Sequence, residues 1–265
     1  MAAPSEFSVV DLNTSFADQT PQAVLAWVFK TFGRRAALCC GFGVEGVAIL
    51  DMLMKIEPAA RVFTLDTGRL APQTYELIDK CARRYGTRLE VFFPSADEVE
   101  KMVAAHGINL FYNSVEQRQT CCEVRKIHPL RRALSGMSVW ITGLRKEQSS
   151  ERQVVEMLEI DTEHGGILKV NPLAHWSEAQ VWSYVRDHGV PYNSLYDAGY
   201  TSIGCLPCTR ASRPGEDPRA GRGWWEQDQP KECGIHNFRR NGTRQLAIGD
   251  GQDPVPTEAP TNGRK

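Results

Sequence analysis

The amino-acid sequence predicts an α/β protein built on a parallel, twisted sheet flanked by helices. Short apolar runs at residues 36–40, 61–65, 88–93, 138–142 and 167–170 have strand length. Between most of them lie stretches whose apolar residues recur at helical spacing. Several runs end in glycine-rich or charged loops, which is where a parallel sheet presents its ligands. At 265 residues the chain can bury about three quarters of its unfolded surface without disulfide staples.

The elements follow in order. Val24, Leu25, Val28, Phe29 and Phe32 mark a helix over 22–32, and Gly33 stops it. The first strand opens into Gly41-Phe42-Gly43-Val44-Glu45-Gly46, after which Val47, Ile49, Leu50, Leu53 and Ile56 mark a helix. Strand, glycine-rich turn and helix aim backbone N–H groups and a positive helix end at a phosphate. The turn is neither a Walker A loop nor the dinucleotide fingerprint, and alone it serves equally as plain connection. The second strand ends in Asp66-Thr67-Gly68-Arg69, and helices over 72–85 and 97–106 flank the third.

A helix carrying Cys121-Cys122 runs on to Leu134, and the fourth strand delivers Gly143-Leu144-Arg145-Lys146-Glu147-Gln148-Ser149. Arg145 has the planar fork that clamps phosphate, or else is a surface arginine. After 167–170, Asn171-Pro172-Leu173 breaks the chain and Ser177 caps a helix to His188, with Trp176, Val181, Trp182 and Val185 assigned to the core. Residues 192–200 form a loop or short helix. The expected organisation is an α/β body over 1–210, a mobile segment over 211–240 and a disordered tail over 241–265.

Lys and Arg total 31 against 32 acidic residues, so bulk charge gives no reason to expect nucleic acid or a membrane surface. No signal-like n-region is present, and no apolar run reaches the roughly 18 residues of a membrane span. A soluble cytoplasmic protein is expected. Eight cysteines in a reducing compartment are then ligands, catalysts or core residues.

Four of them form two tight pairs, Cys121-Cys122 and Cys205-Leu206-Pro207-Cys208. Adjacent helical residues point about 100° apart and close poorly on one zinc ion, whereas a four-iron cube offers each thiolate its own iron. Spacing therefore favours an iron–sulfur cluster, while zinc and plain packing stay open. Arg118, Arg125 and Lys126 flank the pair, to offset its negative charge or as a solvated basic face. Cys39, Cys40 and Cys81 are assigned to packing. Cys233 stands apart in Lys231-Glu232-Cys233-Gly234-Ile235-His236. With Lys231 and His236 near enough to stabilise a thiolate, it reads as a nucleophile, with a surface cysteine or a metal ligand as alternatives.

Jointly, the two cysteine pairs, Glu-Cys-Gly-Ile-His around Cys233, Leu65-Asp66-Thr67-Gly68-Arg69 and Gly143-Leu144-Arg145 resemble the assimilatory sulfonucleotide reductases over roughly residues 32–236. The closer resemblance is to their iron–sulfur branch, the bacterial adenosine 5'-phosphosulfate (APS) reductases. It implies an adenine-nucleotide α-hydrolase-like fold with a degenerate pyrophosphate (PP) loop at 41–46. It implies a [4Fe-4S] cluster on Cys121, Cys122, Cys205 and Cys208, for which an electrostatic and structural role is expected. Cys233 would attack the sulfate sulfur, expel AMP and become an S-sulfocysteine, from which thioredoxin or a glutaredoxin-like dithiol releases sulfite. By position, Lys126, Arg145, Arg219, Arg222 and His236 meet the anionic groups, with Lys126 and His236 placed with Cys233 in the catalytic set. Leu65, Gly143 and the loop Gly41, Phe42, Gly43, Val44 and Glu45 line the nucleotide pocket. The resemblance further implies a role in sulfate assimilation and cysteine biosynthesis, and a homo-oligomer.

Cys40-Gly41-Phe42 stands where relatives often carry serines, which leaves phosphate binding at that turn to backbone N–H groups. Two other readings remain. One is the same chemistry on 3'-phosphoadenosine 5'-phosphosulfate (PAPS), with Arg34, Arg35 or Arg69 as candidates for the extra phosphate. The other is a metal-stapled PP-loop nucleotide-binding or RNA-thiolation protein, against which the near-neutral charge counts.

Overall fold

The structure is a computed structural model and describes residues 8–149, 152–226, 232 and 234–236. Six strands, β1 (Ala36–Cys39), β2 (Arg61–Leu65), β3 (Leu89–Phe92), β4 (Val139–Ile141), β5 (Leu158–Asp161) and β6 (Ile167–Val170), form one sheet in the order β3-β2-β1-β4-β6-β5. Neighbours from β3 to β6 pair in parallel, and β5 pairs with β6 antiparallel. The sheet is thus parallel except for one edge strand that the sequence reading did not anticipate. Asn13 closes that edge by donating to the Leu158 carbonyl at 2.9 Å and accepting the Leu158 N–H at 3.0 Å.

The helices are α1 (Val9–Phe16), α2 (Pro21–Phe32), α3 (Val44–Ile56), α4 (Pro72–Tyr85), α5 (Ala96–His106), α6 (Val115–Cys122), α7 (His128–Leu134) and α8 (Glu178–Asp187). Side chains alternate across the sheet as strand geometry requires. Ala36 and Leu38 join one core with residues of α2, α3, α4 and α8. Ala37, Phe63 and Trp140 face the other way, onto Leu130, Ala133 and Leu134 of α7. Ser177 caps α8 with a reciprocal bond to Gln180, and Val181 and Val185 are buried while Trp176 and Trp182 are half-buried against the core.

Between α6 and α7 the helix widens into a π-turn, Glu123–Ile127. Arg118, Arg125 and Lys126, for which a solvated face was one reading, are buried at 4 %, 8 % and 9 % exposure. Residues 211–226 contain no helix or strand among themselves, but the Arg210 N–H bonds the Gly221 carbonyl and Trp225 packs on Phe111 and Tyr112. The tail expected over 241–265 lies outside the described residues. None of the described helices is long and apolar enough to cross a membrane.

Candidate nucleotide and thiol site

Strand order reverses at β1 and β4: the chain moves from β1 to β2 on one side and reaches β4 on the other. Such a switch point leaves a crevice beyond the strands' C-terminal ends. Here the crevice is a cavity of about 270 Å³, walled by the turn after β1, the loop after β4 and residues from the last part of the described chain.

The first wall is the 41–46 turn. Gly41, Gly43, Val44 and Glu45 line the cavity, whereas the Phe42 side chain turns into the core with φ of 54°. Phe42 can therefore serve a ligand there only through its backbone. The Val44 N–H donates to the Tyr196 hydroxyl at 2.9 Å, which fixes the start of α3 from 152 residues away. Gly143 presses on this turn: a Cβ there would sit 3.1 Å from Glu45 Cβ and 3.3 Å from the Gly46 nitrogen. Leu65 at the end of β2 completes this side.

Charge divides the cavity. At the turn, Arg145 places Nε and Nη2 on Glu45 Oε1 at 3.0 and 2.9 Å and Nη1 on the Trp176 carbonyl at 3.2 Å. The arginine expected to clamp phosphate thus lines the cavity with its fork engaged by a carboxylate. Glu147 lies 3.9 Å from the same guanidinium, and Glu178 also faces this end. Lys126, Arg152, Arg219 and Arg222 line the cavity as well, together with Glu232 and His236.

Glu232 is gripped by Arg152 through Nε and Nη2 at 2.8 and 3.0 Å, and by Arg219 at 3.2 Å. Burial pushes its carboxyl up, but Arg152 and Arg219 outweigh this and hold it below the usual carboxylate range. The His236 ring stacks on Trp140 at 5.4 Å and 25°, with Nδ1 buried and unpartnered among the described residues. Burial, reinforced by Lys169 and Arg152, drives its pKa well below 6.5, so the ring is neutral. Cys233, between Glu232 and Gly234, lies outside the described residues.

Beside this cavity lies a smaller one lined by Cys121, Cys122, Cys205 and Cys208. The two cysteine pairs, 83 positions apart between Cys122 and Cys205, are brought together. The Thr67 hydroxyl meets Cys205 Sγ at 3.2 Å, and Arg125 donates through Nη1 to the Thr67 carbonyl at 2.7 Å. Arg125 Nε, buried in the same wall, has no partner among the described residues. The thiols share a cavity without closing as a ligand set: among the described residues no three Cys, His, Asp or Glu meet the geometry of a metal site.

The donor chemistry still fits a thiolate-held group. Among the described residues no carboxylate or imidazole lines this cavity, and four sulfurs with Arg69, Arg118, Arg125, Lys126 and Arg222 do. Burial pushes Cys208 up to about 12 and also raises Cys121, so bare thiolates are disfavoured there without a cation among them. Cys39 and Cys81, both pushed up to about 12 by burial, and the still higher Cys40 belong to strand and helix packing, although Cys39 and Cys40 also reach the larger cavity. Lys126, Cys205 and Arg222 line both cavities, which therefore share a wall.

Residues 35–211 match the phosphoadenosine phosphosulfate reductase domain. The chain belongs to that reductase family. It is 50 % identical over 194 residues to adenosine 5'-phosphosulfate reductase of Allochromatium vinosum, spanning 73 % of this chain and 75 % of that one. Against the enzyme of the same name from Pseudomonas aeruginosa strain LESB58 it is 41 % identical over 87 % of both chains. Among solved structures, phosphoadenylyl-sulfate reductase from Candida auris, in a phosphate complex, superposes with a TM-score of 0.68 at 33 % identity, covering 79 % of this chain and 99 % of that one. FMN adenylyltransferase from Candida glabrata, at 16 % identity and a TM-score of 0.51 over 82 % of this chain and 71 % of that one, shares the fold alone.

Within the reductase fold, Lys126, Leu65, Gly143, Arg145, Arg219, Arg222 and His236 all line the crevice with the glycine turn. Arg152, Glu232 and Tyr196 join them without having been singled out from the sequence. Of the three candidates for a second phosphate, Arg34 and Arg35 precede β1 and so sit at the opposite end of the sheet from the crevice. Arg69 bonds the Ile108 carbonyl and Asn109 and lines the thiol cavity, not the nucleotide cavity.

Proposed function

We propose that the chain reduces APS to sulfite and AMP, using a dithiol donor such as thioredoxin. The observation that carries this reading is the shared wall: a PP-loop nucleotide cavity and a four-cysteine cavity meet at Lys126, Cys205 and Arg222. An adenine nucleotide entering past Leu65 and Gly143 would turn its phosphosulfate toward Lys126, Arg152, Arg219 and Arg222. In this reading the Cys233 thiolate attacks the sulfate sulfur. A sulfur–sulfur bond forms, the sulfur–oxygen bond to AMP breaks, and its electron pair leaves with the AMP phosphate. A thiolate of the donor then attacks Cys233 Sγ and expels sulfite. The donor's second thiol closes its disulfide, supplying the two electrons and returning Cys233 as a thiolate.

The basic side chains neutralise the sulfate oxygens and the charge that grows on the leaving phosphate. Neutral His236 is suited to donating a hydrogen bond to the oxyanion from its one N–H without adding charge. Cys121, Cys122, Cys205 and Cys208 would hold a [4Fe-4S] cluster, which when bound supplies a fixed charge centre beside Lys126. The placement of Arg34, Arg35 and Arg69 away from the crevice favours APS over PAPS, because none of them faces the nucleotide.

The test is incubation with APS in the absence of any dithiol, followed by mass spectrometric mapping. A sulfonate on Cys233, and its loss in Cys233→Ser, is the expected result. Modification at another cysteine, or none, refutes the assigned nucleophile. Higher kcat/KM on PAPS than on APS refutes the substrate.

A further inference from the structure

We infer that the Glu232 carboxylate competes with the substrate's oxyanion for Arg152 and Arg219. The inference deepens the proposed function and rests on the anion being bound at that end of the crevice.

The donor inventory of Arg152 carries it. Nε and Nη2 lie on the two oxygens of Glu232, and Nη1 lies on Gln148 Oε1 at 2.5 Å. Each of its three nitrogens is thereby engaged within the protein. Its Nε/Nη2 edge, one of the two that can grip a carboxylate, sulfate or phosphate, is occupied by Glu232, and Nη1, which the other edge needs, is on Gln148. Arg219 Nη2 lies 3.2 Å from Glu232 Oε2, the oxygen that Arg152 Nη2 also takes. An oxyanion can take that edge of Arg152 only where the carboxylate gives it up.

Position adds a second argument. Glu45, the carboxylate tied to Arg145, belongs to the turn, and Glu147 and Glu178 accompany it. Glu232 instead sits with Arg152 and Arg219 on the wall where the phosphosulfate is expected, 12 % exposed and facing the cavity. It belongs to no helix or strand. Departure of the carboxylate therefore breaks its ion pairs with Arg152 and Arg219 but no regular hydrogen-bond ladder, and the bond from Arg118 Nη1 to the Glu232 backbone carbonyl at 3.2 Å can stay in place. A carboxylate and a sulfate present the same planar pair of acceptors to a guanidinium, so exchange requires no other change in the arginines.

The test uses the holoprotein and its Glu232→Gln variant, titrated with AMP by calorimetry at fixed ionic strength. Glutamine keeps the size and removes the charge. Competition predicts AMP binding tighter by about fivefold or more in the variant. Equal or weaker binding overturns the inference, because a merely structural ion pair would be lost without benefit to the ligand. In the wild-type protein, which removes any question of the variant's folding, saturating AMP should shift the carbon-13 carboxyl resonance of Glu232, assigned by its absence in Glu232→Gln, as the carboxylate loses its guanidinium partners. An unchanged resonance also overturns the inference. A wild-type protein that binds no AMP defeats the reading of the crevice itself, whereas AMP binding that Glu232→Gln does not tighten defeats competition alone.

Discussion

Replacing Gly143 by alanine tests whether the two walls of the nucleotide cavity are held at backbone contact. The added Cβ would lie 3.1 Å from Glu45 Cβ and 3.3 Å from the Gly46 nitrogen, against about 3.5–4.0 Å for carbon atoms at rest. Neither neighbour yields easily. Gly46 is in the first turn of α3, and Glu45 is tied to Arg145 at 2.9 Å. Overpacking of this kind costs about 1–3 kcal/mol. Since the strain falls on the turn that would receive the nucleotide, AMP affinity should drop by roughly five- to a hundredfold. Calorimetric titration of the variant reads the affinity, and thermal melts with and without AMP read where the strain goes. Wild-type affinity together with a wild-type melting temperature in Gly143→Ala refutes the contact. A lowered melting temperature with unchanged affinity puts the strain in β4 and refutes its transmission to the turn.

Three other predictions follow from the same geometry. Cys121→Ala should lose iron and acid-labile sulfide, whereas Cys81→Ala, in the core, should keep both; equal metal content in the two variants would remove the thiol cavity as the metal's holder. Tyr196→Phe removes the acceptor of the Val44 N–H, a loss of about 1–3 kcal/mol for a buried donor, so AMP should bind about tenfold more weakly by titration. His236 is neutral when folded, with its pKa well below the ordinary 6.5. The unfolded state then binds the extra proton, so stability is fully present above pH 6.5 and declines as pH falls toward the folded pKa. Replacing it with Phe, which can still stack on Trp140, should flatten that acid limb in pH-dependent denaturation; an unchanged slope would mean that the imidazole is not buried neutral.

The sheet was legible where short, mainly apolar runs of strand length stand out: β1 and β4 are apolar throughout, while β2 and β6 each keep that character around one buried polar residue, Thr64 and Lys169. The edge strand β5 was not. Leu158–Asp161 carries one fully buried residue, and it depends on Asn13 and β6 for its bonding. Gly165-Gly166, both at positive φ, was the available hairpin cue. The site divides in the same way. Glycine turns and paired cysteines announce themselves locally, because each motif is a backbone or ligand requirement within a few residues. Tyr196 and Arg152 act through partners 152 and 80 positions away, so nothing beside them in the sequence signals the contact.

The π-turn at Glu123–Ile127 explains why one helix can serve two cavities and a core. On a continuous α-helix each residue advances about 100°, so the phase set by Cys121 and Cys122 would dictate which later residues face the sheet. Widening the helix by one residue resets that phase. Cys121 and Cys122 then face the thiol cavity, Arg125 reaches the Thr67 carbonyl and Lys126 stands in the wall between the cavities. Leu130, Ala133 and Leu134 remain packed on Phe63 and Trp140. Deleting one residue from 123–127 cannot preserve all three contacts: if α7 keeps its core, the cysteines and Lys126 turn away from their cavities together. Thiol and anion binding should therefore fail jointly in such a deletion, even where the sheet survives.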